Sequence, residues 1–135
     1  MEKKHLTDKH LRSVSSSIYI IEKMLTDIER AINHPEKGIL SVTLNDIDNL
    51  DMDRYNNAIG KIKSEIKRIA EKYNLRKEEI LLSRLINSRR AKMWETVTDT
   101  NSRKLKGFTE FPKELAAEFD EDIAKLKAVL DELEI

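Results

Sequence analysis

The chain has no cysteine, three glycines, two prolines and only 5% aromatic residues. Without cysteine there can be no disulfide, thiolate nucleophile, zinc–thiolate centre or iron–sulfur ligand. That absence fits a reducing interior, and a cytoplasmic location is expected. So few glycines and prolines leave few places to turn, which favours a few long elements over many short strands. Histidine stands only at positions 5, 10 and 34, so nothing after the first helix can use imidazole as base or ligand. No apolar run approaches the roughly 18–20 residues needed to span a bilayer. Met1-Glu2-Lys3-Lys4-His5 leads into no apolar stretch of the kind a secretory signal requires. Neither a membrane partner nor a cofactor is expected.

What the chain does have is aliphatic periodicity. Leu11, Val14, Ile18, Ile21, Leu25, Ile28 and Ile32 recur at alternating spacings of three and four. Tyr55, Ile59, Ile62, Ile66, Ile69 and Tyr73 do the same, as do Phe119, Ile123, Leu126, Leu130 and Leu133. Each set lies on one stripe of a helix, the stripe used in knobs-into-holes packing. Hydrophobic residues are 39% and charged residues 37% of 135, enough apolar material for one core. The expectation is an all-α, antiparallel four-helix bundle in a single domain, 1–135, with helices at about 8–33, 51–73, 77–106 and 112–133.

Local signals set those boundaries. Thr7 or Asp8 can cap the first helix, and His34-Pro35 must end it. Glu78 and Glu79 suit the positive end of a third helix. Gly107 offers a left-handed stop, and Pro112 fits a first helical turn. Residues 35–50 form a long first connection, too apolar at Ile39, Leu40, Val42, Leu44 and Ile47 for a solvated loop. The preferred reading is a connector that seals the core; the alternative is an exposed strand used in self-association or ligand entry.

Net charge is zero but unevenly spread. Residues 1–53 carry seven Lys/Arg against ten Asp/Glu, residues 54–106 fifteen against six, and residues 107–135 three against nine. The plain reading is internal charge matching. The sharper one is a basic middle that meets a polyanion.

Chemical constellations are scarce. Glu2-x-x-His5 has the spacing of a di-iron motif but no second copy. His34-Pro-Glu-Lys-Gly38 has the spacing around the phosphoacceptor of histidine phosphotransfer domains, yet Pro35 breaks the helix that histidine would need. Asp46, Asp48, Asp51 and Asp53 lack the glycine and spacing of a calcium loop, and helix capping accounts for them. In the third helix Arg89 and Arg90 interrupt the apolar stripe, and Asp122 falls on the edge of the stripe of the fourth. Either the arginines snorkel or pair with Asp122, or Arg84, Arg89, Arg90, Trp94, Arg103 and Asp122 form a polar, anion-binding patch. Aromatic interleaving, the mark of single-strand stacking, is missing.

Ile69-Ala-Glu-Lys-Tyr-Asn-Leu-Arg-Lys-Glu-Glu-Ile-Leu-Leu-Ser-Arg84, with Leu105-Lys-Gly-Phe108 downstream, resembles the helical C-terminal domain shared by helicases and ribonuclease D. That likeness covers one helix junction and implies help with nucleic-acid binding; the family's basic, tryptophan-containing motif is not reproduced after Gly107. The whole chain is similar to small uncharacterised prokaryotic helical-bundle proteins with a tryptophan in the third helix and a Gly-Phe/Tyr-x-x-Phe/Val-Pro link. This second resemblance implies a bundle and no activity. The expected function is a non-catalytic interaction or structural module, a homo-oligomer or the binder of a protein partner. The alternative is an accessory nucleic-acid binder using the basic faces of helices 2 and 3.

Overall fold

The computed structural model describes residues 2–105, 107 and 109–134. It is all-α: five helices and one 3₁₀ turn, with no strand among the described residues. Backbone proximity groups the chain into two compact units, one running to Glu78 and the other starting at Glu79.

The first unit is a helical hairpin. Helix α1 spans Asp8–Asn33, as its capping signals require: the Thr7 hydroxyl accepts from the His10 N–H, and His34 closes the last turn ahead of Pro35. Helix α2 spans Asn49–Lys72, and the Asp48 carboxylate accepts from the Asp51 N–H at 2.8 Å. Asn74 then adopts a left-handed φ of 51°. The Asn74 N–H bonds back to Glu71 and the Leu75 N–H to Ala70, a Schellman closure. Three contacts set the direction of packing. The Lys4 N–H donates to Lys72, the Arg76 N–H donates to the Ser15 hydroxyl at 3.1 Å, and Glu29 pairs with Lys63. The start of α1 therefore lies at the end of α2, and the two helices are antiparallel. Leu25 and Ile59 are the buried apolar residues of this unit.

The second unit contains α3, Leu82–Thr98, a single-turn helix α4, Ser102–Leu105, and α5, Lys113–Leu130, followed by a 3₁₀ turn at Asp131–Leu133. Arg90 reaches Asp131, Lys127 lies over Trp94, and Ser102 meets Asp120. Those pairings run in opposite senses along α3 and α5, so this pair is antiparallel too. Among its described residues Val97 and Ser102 are buried, and the Phe111 and Phe119 rings pack with centroids 4.9 Å apart.

Three expectations change. A continuous helix over 77–106 is not formed: residues 75–81 are non-helical, and the helix stops at Thr98. The Thr96, Thr98 and Thr100 hydroxyls and the Asn101 amide all donate back to carbonyls of the preceding turn. Such local bonds compete with the helix, and the Asn101 side-chain oxygen restarts it by accepting from the Lys104 N–H. Lys106, the expected end of that helix, lies outside the described residues. Gly107 does not have a positive φ, so the left-handed stop expected there is not formed.

The connection does not act as a seal either. Residues 36–43 fold back on themselves, with the Thr43 N–H donating to Glu36 and the Gly38 N–H to Ser41. This carries Ile39 and Leu40 at the tip, wholly exposed, with Val42 and Leu44 also exposed. The turn satisfies its own backbone and has no need of the core.

Candidate functional site

The sequence singled out α3, and the structure separates the residues it named. At 100° per residue, Arg84, Arg89 and Arg90 point in three different directions around the helix. Arg84, Arg89 and Arg103 are exposed, while Arg90 is half-buried. Arg90 meets Asp131 at 3.5 Å and Glu134 at 3.9 Å, both beyond the end of α5. Its Nε is buried without a partner among the described residues. Asp122 is exposed and pairs with neither arginine. The expected Arg89–Asp122 or Arg90–Asp122 contact is thus not made, because Asp122 lies 200° around the helix from Asp120, and Asp120 is the carboxylate that turns toward α4.

No motif or spacing in the sequence marks Asp120. It accepts from the Ser102 N–H at 2.8 Å and from the Ser102 hydroxyl at 2.6 Å. These two bonds, the hydroxyl's first, hold its carboxyl below the usual carboxylate range, against the opposing effect of burial. The arrangement caps α4 and gives no nucleophile a base. Trp94 is 38% exposed, and the Lys127 ammonium sits 4.0 Å from its ring centroid. That cation occupies a face a stacking base would need. Among the described residues, no group of three or more acidic or histidine side chains is placed to hold a metal ion.

Some basic residues of the first unit are engaged in ion pairs. Arg54 pairs with Asp51, Lys63 with Glu29, Arg68 with Glu65 and Arg76 with Asp8. Two sides of the hairpin then differ. On one side Glu22, Glu29, Lys63, Lys67 and Arg76 rim a groove of about 700 Å³. Charges of both signs alternate across it, and its floor is Ile18, Leu25, Ile66 and Leu75.

The other side is apolar and open. Every charged residue of α1, from Asp8 to Arg30, falls within about 160° of the helix circumference. The remaining arc holds Ser13, Ser17, Ile20, Ile21, Met24, Ile28 and Ala31 beside the residues packed on α2, and His10 is its one ionisable group. Ile21 is 48% exposed, Met24 61% and Ile28 52%, whereas Leu25, one residue beyond Met24, is 6% exposed. On α2, Tyr55 and Ile62 are also exposed, and in antiparallel packing their helical phase puts them on this same side. The hairpin therefore uses one flank of its apolar stripe for its own packing and leaves the other uncovered.

No family model, curated protein or solved structure matches the chain. Among the described residues no helix is long and apolar enough to cross a membrane.

Proposed function

We propose that this protein is a non-catalytic helical interaction module whose working surface is the open apolar side of the α1–α2 hairpin. The observation that carries the reading is the exposure of Ile21, Met24 and Ile28 on a helix arc without a charged residue. An apolar strip of that length in a chain that is 37% charged is the surface of an interface, since isolated helices gain nothing from it in water. Completion of a four-helix bundle by a helical partner is the arrangement it suits, and a soluble, cytoplasmic setting goes with it.

A substitution tests this reading. If Ile28 faces bulk water, Ile28→Lys changes stability by no more than about 0.5 kcal/mol. If the face is covered in solution, burying the ammonium costs several times that amount. The expected result in chemical denaturation is the large loss in a chain that light scattering shows to be oligomeric; a neutral substitution, or a costly one in a monomeric chain, ends the proposal.

The second reading is accessory nucleic-acid binding, supported by the exposed Arg84, Arg89 and Arg103 and by the resemblance at residues 69–84. Titration of single-stranded and duplex oligonucleotides, followed by Trp94 emission and anisotropy, separates the two. Binding that weakens steeply with salt favours the second reading. No binding at low salt leaves the basic middle as internal charge matching.

A further inference from the structure

We propose that Arg90 anchors an oxyanion site for a phosphate group, and that the acidic turn after α5 closes this site by standing in for the ligand. Every residue involved belongs to the second unit, so the inference is independent of the interaction-module reading.

Position is the first argument. Ile86, Arg90 and Val97 are shielded from solvent at the spacing of a helix packing stripe. The Arg90 side chain is 22% exposed, whereas Arg84 and Arg89 lie out on the surface. An apolar residue would fill the seam without the cost of desolvating a guanidinium, so the charge is placed where only an anion justifies it.

Bonding is the second. Arg90 Nη1 stands 3.5 Å from Asp131 and Nη2 3.9 Å from Glu134. Nε is buried with no partner among the described residues. A well-formed guanidinium–oxyanion fork makes its bonds at about 2.7–2.9 Å. The two carboxylates therefore balance the charge without satisfying the donors. A phosphate can meet two N–H groups of the fork at once, and it carries about the charge of the two carboxylates together.

The third argument is the closing element itself. Asp131–Leu133 is a single 3₁₀ turn, and Asp131, Glu132 and Glu134 are all exposed. They gather at the negative end of the α5 dipole, where acidic side chains are disfavoured. Lys127, the basic residue in the last turn of α5, is turned onto Trp94 instead. Departure of the turn would leave Arg90 open, with Lys127 one helical turn before Asp131 and Trp94 one turn beyond Arg90.

The test removes the stand-in and keeps its shape. Inorganic pyrophosphate and a mixed-sequence single-stranded oligonucleotide are the probes, followed by Trp94 emission. Wild type should bind weakly, and D131N/E134Q should bind about tenfold more tightly because its competitor has lost its charge. Glu134→Gln alone should give a smaller gain of the same kind. Adding Arg90→Met, whose side chain suits the apolar seam, should abolish the gain. E118Q/E121Q makes the same change in net charge elsewhere on α5 and should leave affinity at the wild-type level. A gain that the oligonucleotide shows, falling steeply with salt, assigns the phosphate to a nucleic-acid backbone; a gain for pyrophosphate alone assigns it to a free phosphate compound. No gain with either probe, a gain that survives Arg90→Met, or an equal gain in E118Q/E121Q overturns the proposal.

Discussion

Asp120 holds Ser102 by two bonds, one to its backbone N–H and one to its hydroxyl, eighteen residues apart in sequence. The pair closes the N-terminal end of a four-residue helix that has no length of its own to persist in water. Asp120→Ala is expected to lower the melting temperature and to release α4, seen as faster amide exchange at Lys104 and Leu105. Asp120→Asn should do less harm, because the amide oxygen can still accept one of the two bonds.

The same carboxyl sets a pH dependence. Its pKa is lowered in the folded chain, so its contribution is full above the unfolded value, about 3.9. That contribution is lost as pH falls through the lower folded value. The stability difference between wild type and Asp120→Asn should be constant near neutrality and shrink only below about pH 4. A difference that shrank between pH 5 and 7 would contradict the bonding described.

Leu25 and Ile59 carry the packing between α1 and α2. Leu25→Ala should cost about 2–4 kcal/mol in urea denaturation, as for other deletions of this size at buried sites. Changing both Ile39 and Leu40 to serine should move stability by no more than about 0.5 kcal/mol each, since both are wholly exposed.

Asn74 stands at a left-handed φ of 51°. Asn74→Gly should be tolerated. Asn74→Val should cost roughly 1–2 kcal/mol, because a β-branched side chain clashes there with its own backbone. A neutral valine would mean that α2 ends in another way.

Lys127 places its ammonium 4.0 Å from the Trp94 centroid. Lys127→Met should shift Trp94 emission and remove about 0.5–1 kcal/mol of stability, the worth of a partly exposed cation–π contact.

The helical class and the bounds of α1 were legible in the sequence, because Thr7, His34 and Pro35 act on their own neighbours. The break after Thr98 was written in Thr96, Thr98, Thr100 and Asn101, but those residues become breakers only when their side chains turn back on the chain. Periodicity located the apolar stripes and left open which flank of each stripe is used. On α5 the packed side is turned from the stripe toward Ala116, Asp120 and Lys127, and Leu115, Leu126 and Val129 stay exposed. On α1 it is turned in the same sense, away from Ile21 and Met24 and toward Ser15 and Tyr19. A rotation of that kind is fixed by the neighbouring helix, and no residue spacing within one helix encodes it. The partners of Arg90 were hidden for a related reason: they sit on a 3₁₀ turn and just beyond it, past the last periodic residue of α5.

Among the described residues no side chain is completely buried, and only Leu25, Ile59 and Val97 form an apolar interior. The heat capacity of unfolding follows the apolar area newly wetted. A single chain that hides so little would have a flat stability curve: a broad, weak calorimetric peak and a free energy that barely changes between cold and warm. A sharp endotherm in solution would then report on surface the isolated chain leaves wet, before any partner had been seen.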